Sequence, residues 1–148
     1  MDNKAKLVRN WLTKAAHDLA VSKKLTSGED QYADVAIYHC QQAAEKAIKG
    51  YLLLHGKEFP KTHDLRLLVQ LAVSVNPEFA KCEDAADVLT PYATEFRYPG
   101  EIMNPTDEEM DEGIRLAEEI VTYVISLLPG ELRSALSRKQ IALPAGLG

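Results

Sequence analysis

The sequence predicts an all-α protein, an up-and-down bundle of four to five helices. Apolar residues recur at intervals of three and four in several long segments, and turn residues separate those segments. None of the segments shows the sustained alternation that is typical of a strand. A length of 148 residues with 46% hydrophobic residues fits one domain with a substantial core.

The first two helices are predicted over residues 4–25 and 30–55. The first carries an apolar stripe at helical spacing, formed by Val8, Leu12, Ala15, Ala16 and Leu19. The second is the most regular segment, and its apolar face is rich in alanine, which allows a neighbouring helix to approach closely. Gly56 is expected to end it.

The next two helices are shorter. Thr62 is predicted to cap the third helix, and Asn76 followed by Pro77 restarts the chain as a cap and a first-turn proline. The fourth helix is predicted over residues 82–96, with a kink or a short break after Thr90, because Pro91 cannot continue the hydrogen-bond ladder.

The last long helix begins with Thr106 and Glu109, which have the spacing of a capping box, and Pro129 ends it. We therefore expect residues 1–130 to form the helical domain. Residues 131–148 are expected to form a short helix or a flexible tail.

Composition excludes several functional classes. The net charge of −5 argues against a nonspecific nucleic-acid binder, although a local basic site stays compatible with it. Cys40 and Cys82 form neither a disulfide framework nor a zinc motif, so no metal or cofactor is expected. The acidic residues after Thr106 are typical of a helix N-terminus. With neither a signal peptide nor a membrane span visible, a cytoplasmic location is expected.

One face of the second helix is polar and partly basic. His39, Gln42, Lys46 and Lys49 lie on it at spacings i, i+3, i+7 and i+10. Two lysines, an imidazole and an amide suit a phosphate and the edges of a base. The alternative is a solvated face that the nearby Glu45 and Glu58 neutralise.

Two further candidates lie near helix ends. His63, in the segment KTHDL, is suited to proton transfer or to phosphate binding, and alternatively to capping or packing. Arg97 and Tyr98 precede Pro99, and a guanidinium and an aromatic ring suit a phosphate and a base. Their alternative is helix termination, with Arg97 in a salt bridge to Asp18.

Taken together, four segments resemble the HEPN domain family over about residues 11–128. They are WLTKAAHDLAVSKKL, YADVAIYHCQQAAEKAIKGYLLLHG, FPKTHDLRLLVQL and FRYPG, in that order. The most distinctive signatures within them are QQAAEKAIKGYL, THDL and RYP.

The resemblance implies a HEPN-like helical bundle that pairs as a homodimer with a cleft between the subunits. It also implies nucleotide or RNA binding and, in many members, a neighbouring nucleotidyltransferase in a toxin–antitoxin-like pair. The ribonuclease members are similar to metal-independent enzymes in which an arginine is followed, after four to six residues, by a histidine. Here Ile102, Met103 and Asn104 occupy the positions after Arg97 where that histidine is expected.

The leading hypothesis is therefore phosphate binding, with Lys46, Lys49, His39, Gln42 and Tyr98 as binding residues. A divergent metal-independent endoribonuclease is the first alternative, with Arg97 and His63 as catalytic residues, so that enzymatic activity stays open. A non-catalytic dimeric interaction module is the second. The sequence carries no DNA-specific motif and predicts no membrane association.

Overall fold

Two long helices, α1 (Asn3–Leu25) and α2 (Ala33–Leu54), pack along each other and form the centre of the molecule. The computed structural model describes residues 1–100 and 103–136. Helix α5 (Asp107–Ser126) packs against α2 and α1 and completes the principal core. The described residues contain helices and no strand, which confirms the all-α prediction.

Shorter elements close the bundle on the other side of α2. They are α3 (Leu65–Val75), a 3₁₀ helix over Pro77–Cys82, α4 (Glu83–Leu89) and a second 3₁₀ helix over Thr90–Ala93. Helix α6 (Gly130–Ala135) follows α5 and buries Leu132 against the core. The predicted tail lies largely outside the described residues.

Small residues bring α1 and α2 close together. Four alanines of α2 are fully buried, at positions Ala36, Ala43, Ala44 and Ala47. Gly50 continues this face, and a Cβ atom placed on it would lie 2.5 Å from Leu12 Cδ2 and 3.1 Å from Trp11 Cβ. The close contact of the two helices therefore requires a glycine at position 50.

Local signals placed most helix ends correctly. Thr106 and Glu109 form the predicted capping box, and the Asn76 side chain accepts a hydrogen bond from the backbone N–H of Glu78. The cap predicted for the third helix was wrong. Asp64 caps α3, and Thr62 instead accepts a hydrogen bond from the backbone N–H of Asp64.

The predicted fourth helix is shorter than expected. Its α-helical part ends at Leu89, and a 3₁₀ turn containing Pro91 replaces the rest. The break was predicted after Thr90, and in the structure it occurs one residue earlier, after Leu89. Arg97 follows in a turn region and not in a helix.

Candidate functional site

The polar face of α2 is covered by neighbouring elements and is not a solvated surface. Gln42 is 8% exposed, Glu45 4% and Lys49 7%, and Gln41 is fully buried. Polar groups buried to this extent need partners, because unpaired ones destabilise the fold. Two buried carboxylates, one on α1 and one on α2 itself, provide them.

The first carboxylate is Asp18 of α1. Its Oδ1 atom lies 2.8 Å from Nδ1 of His39, and its Oδ2 atom accepts a hydrogen bond of 2.6 Å from Nζ of Lys46. A carboxylate oxygen only accepts, so Nδ1 of His39 carries the proton and Nε2 is the nitrogen left for a ligand. We call Asp18, His39 and Lys46 the Asp18 cluster.

The second carboxylate is Glu45. Its Oε1 atom lies 2.7 Å from Nδ1 of His63, and its Oε2 atom accepts a hydrogen bond of 3.1 Å from Nζ of Lys49. Gln41 donates to Glu45 Oε1 and to the backbone carbonyl of His63, and Gln42 donates to Gln41. We call Glu45, His63 and Lys49 the Glu45 cluster, and it fixes the segment before α3 to α2.

A pocket of about 300 Å³ opens beside the Asp18 cluster. We call it the Arg97 pocket. It is lined by Asp34, Val35, Tyr38, His39, Phe96 and Arg97. The Arg97 guanidinium lies over the ring of Tyr38, with its central carbon 4.0 Å from the ring centroid, and it donates to the carbonyl of Ala93. A contact with an aromatic face orients a guanidinium without using its N–H groups, which are hydrogen-bond donors.

The structure divides the residues selected from the sequence between different surroundings. His39 and Arg97 line one pocket, and Lys46 is joined to His39 through Asp18. His63 is fixed on Glu45 instead, and none of its contacts within residues 1–100 and 103–136 involves Arg97. Tyr98 is 69% exposed.

The salt bridge between Arg97 and Asp18, the alternative interpretation for Arg97, is not formed, because Asp18 pairs with His39 and Lys46. Lys49 and Gln42, selected as binding residues, are buried and hydrogen-bonded within the Glu45 cluster and its amide neighbours. Of the two acidic residues expected to neutralise the lysines, Glu45 does so for Lys49.

Tyr38 was missed in the sequence, and so was the role of Asp18 as the partner of His39. Its position in the sequence could have identified Tyr38 as part of the site. It lies one helical turn from both Asp34 and Gln42 on α2, and it is next to His39. Its ring also contacts the His39 ring edge-on, with centroids 5.4 Å apart. Tyr38 thus connects the guanidinium to the imidazole.

Cys40 follows His39 but belongs to the core. Burial raises the pKa of its thiol from 9.0 to about 11. The thiolate is the nucleophilic form of cysteine, and at neutral pH it is almost absent here. Cys40 is therefore a packing residue.

The described part of the chain contains no group of three or more histidine, cysteine, aspartate or glutamate residues able to hold a metal ion. The acidic first turn of α5 serves its capping box. Among the same residues, no helix is both long enough and apolar enough to cross a membrane.

The fold and the site define a small all-α domain whose polar and basic residues gather on its second helix. The chain belongs to the HEPN domain family, and the model of that family matches residues 8–128. A crystal structure of an archaeal HEPN homologue is similar to it, with 30% sequence identity and a TM-score of 0.63, and the match covers 79% of this chain and 93% of that one. No curated protein matches.

Proposed function

We propose that this HEPN protein binds the phosphate of a nucleotide or of RNA in the Arg97 pocket. The observation that carries the proposal is the guanidinium of Arg97 held over the ring of Tyr38 at the wall of a pocket that is also lined by His39. A guanidinium in this setting donates two parallel hydrogen bonds to a phosphate. The resemblance to nucleotide-binding and RNA-binding HEPN proteins supports the same ligand class.

Charge in the pocket is mixed, and this gives the proposal a sharp test. Asp34 lines the same pocket and repels an anion, so Asp34→Asn is expected to strengthen phosphate binding while Arg97→Ala weakens it. Loss of a charge-assisted hydrogen bond costs about 1.5–3 kcal/mol, or roughly tenfold to a hundredfold in affinity.

The test is calorimetric titration with nucleoside monophosphates and short RNA. Arg115→Ala is the matched control, because it removes the same formal charge outside the pocket. Arg115 is an exposed arginine of α5 that pairs with Glu119. Equal affinities for wild type, Arg97→Ala and Arg115→Ala would exclude the Arg97 pocket as the site.

A divergent metal-independent endoribonuclease is the second candidate, and one observation favours it. His39 lies in the pocket with Arg97, so it is a better proton-transfer candidate than His63. In the expected reaction a ribose 2′ oxygen attacks the adjacent phosphorus, its proton passes to Nε2 of His39, the P–O5′ bond breaks, and water protonates the leaving 5′ oxygen. Arg97 would bind the phosphate.

Cleavage of end-labelled single-stranded RNA in excess chelator tests this candidate. His39→Asn keeps a donor for Asp18 and removes the titrating ring, so we expect cleavage to fall by about 10²–10⁴-fold. His63→Asn is the matched control, since it keeps a donor for Glu45, and its activity is expected to stay near that of wild type. A fall in His63→Asn alone would return the catalytic role to His63.

We also propose a homodimer, within a toxin–antitoxin-like pair with a nucleotidyltransferase. HEPN domains are commonly dimeric. Two exposed apolar side chains support a partner on this side, Val35, which lines the Arg97 pocket, and Tyr98, which follows Arg97 in the chain. Light scattering tests the dimer, and co-purification with a nucleotidyltransferase encoded nearby tests the pair. Dimerisation without nucleic-acid binding would favour the non-catalytic interaction module.

A further inference from the structure

A second pocket lies on the other side of the Asp18 cluster, along α1. It has a volume of about 230 Å³ and is lined by Leu7, Asn10, Trp11, Lys14 and Lys46. We call it the Trp11 pocket. Its wall is apolar, so Lys14 and Lys46 line it with the carbon chains of their side chains, beside the indole ring and the leucine. An apolar wall with an aromatic ring suits a nucleobase, and the two lysines carry the ammonium groups that a neighbouring phosphate requires.

Trp11 is held in place from behind. Its ring meets Phe59 edge-on, with centroids 6.4 Å apart, and its Cβ atom lies against Gly50 of α2. The indole is nevertheless only partly buried. A fixed, partly open indole offers a nucleobase a stacking surface without the loss of side-chain freedom that a mobile ring would suffer.

The Trp11 pocket and the Arg97 pocket are connected through one carboxylate. Lys46 lines the Trp11 pocket, His39 lines the Arg97 pocket, and the two side chains bind opposite oxygens of Asp18. The second lysine of the Trp11 pocket, Lys14, is exposed on α1. Side chains able to donate a hydrogen bond to a phosphate therefore continue from Arg97 through His39 and Lys46 to Lys14.

We propose that the Trp11 pocket is a second nucleotide subsite, in which a base stacks on Trp11 while Lys14 and Lys46 bind the adjoining phosphate. The proposal rests on the proposed function, since the Arg97 pocket binds the neighbouring phosphate. The ligand is then a single RNA strand that reaches both pockets and not a mononucleotide. A duplex is excluded because its bases are stacked on one another and cannot offer a face to the indole.

Intrinsic fluorescence reports this subsite directly, because Trp11 is the only tryptophan of the chain. Uridine monophosphate, a uridine tetranucleotide and a duplex RNA are titrated in turn. We expect the tetranucleotide to change the indole emission and to bind at least about tenfold more tightly than the monophosphate. The reason is that one base stacked on an aromatic ring increases the affinity by roughly tenfold. The duplex is expected to leave the emission unchanged.

Three variants assign the contacts. Lys14→Ala is expected to weaken the tetranucleotide several-fold and leave the monophosphate unchanged, while Arg97→Ala weakens both. Lys24→Ala removes a lysine from the exposed C-terminal end of the same helix and is the matched control. A labelled tetranucleotide followed by anisotropy is expected to keep most of its affinity for Trp11→Phe and to lose it for Trp11→Leu.

The outcomes separate this inference from the proposed function. In one outcome the monophosphate and the tetranucleotide bind equally tightly, the binding depends on Arg97, and the indole emission does not change. This outcome overturns the second subsite and leaves the Arg97 pocket intact. A change in emission that depends on Lys14 and occurs at the same ligand concentration in Arg97→Ala as in wild type supports the subsite and refutes the Arg97 pocket. Absence of binding by all three ligands overturns both.

Discussion

Replacing Asp18 by asparagine is expected to change stability and ligand affinity in opposite directions. The carboxylate side chain is 11% exposed and binds two nitrogen donors, Nδ1 of His39 at 2.8 Å and Nζ of Lys46 at 2.6 Å. Asparagine keeps the size of the side chain and one acceptor, but it removes the negative charge. The fold loses an ionic contact, while a phosphate bound nearby loses a repelling neighbour.

The cost in stability follows from the two hydrogen bonds. A hydrogen bond to a charged group contributes about 1.5–3 kcal/mol, and asparagine keeps one acceptor. His39 and Lys46 are 26% and 27% exposed, so water partly replaces the lost partner. We therefore expect the free energy of unfolding to fall by about 2 kcal/mol.

The gain in affinity follows from one unit of charge. Removing it is worth about 1 kcal/mol to a bound phosphate, or about fivefold at low salt. One more effective cation makes the plot of log affinity against log salt concentration steeper by about 0.7 for a single strand. The gain should therefore shrink as salt is added.

Urea unfolding measures the stability, and anisotropy titrations of a labelled tetranucleotide at two salt concentrations measure the affinity. The matched control is Glu118→Gln, which breaks a 2.9 Å ion pair between Glu118 and Lys23 of α1, with both side chains about a third exposed. It should change either quantity by less than about 1 kcal/mol. Weaker binding by folded Asp18→Asn would show that Asp18 supports the ligand through His39 and Lys46, and it would refute the expected repulsion.

Three further predictions concern the fold. Gly50→Ala should destabilise the protein by about 1–3 kcal/mol, because the new Cβ atom lies 2.5 Å from a methyl carbon of α1. In Gly113→Ala the new Cβ atom would lie 3.4 Å from its nearest neighbour, an ordinary van der Waals distance. This variant should therefore be neutral or stabilising in the same urea titration. Glu45→Gln should cost about 3 kcal/mol by leaving Lys49 buried without a counter-ion, and the double variant Glu45→Gln/Lys49→Met should recover most of it in urea unfolding. Cys40, with its pKa raised from 9.0 to about 11, should make stability fall as pH rises from 9 to 11, because the unfolded thiol releases its proton first. Wild type should therefore lose about 1 kcal/mol more than Cys40→Ala between pH 9 and pH 10, and parallel pH profiles would contradict this.

Helices were predictable because their signals are local. The apolar repeat, the capping box at Thr106 and the proline at position 91 act within one or two turns of chain. The cap of α3 was misplaced although its signal is local too, since the Asp64 side chain accepts a hydrogen bond from the backbone N–H of Arg66 two residues later. A contact from a distant part of the chain also enters at the start of α3. The backbone N–H of Leu65 donates to the side chain of Thr90, which lies 25 residues away. A sequence pattern gives no access to such a partner.

The pairing of charges within the site was not predictable for the same reason. Several basic residues of the sequence could pair with Asp18. In the structure its partners are His39 and Lys46, which lie 21 and 28 residues away. Arg97, which the alternative interpretation paired with Asp18, lies over the ring of Tyr38 instead. Residue types identified the basic face of α2, but only the packing of α1 and of the turn after α4 divides it into separate sites.

The two carboxylate clusters show how surroundings decide the role of identical chemistry. Asp18 and Glu45 each bind a histidine with one oxygen and a lysine with the other. Lys49 of the Glu45 cluster lies under the ring of Phe59, at 5.8 Å from its centroid, and is shielded from any ligand. The histidine and the lysine of the Asp18 cluster instead each line a pocket, the Arg97 pocket and the Trp11 pocket. The Glu45 cluster therefore serves the fold, and the Asp18 cluster is the one whose charge a ligand would sense.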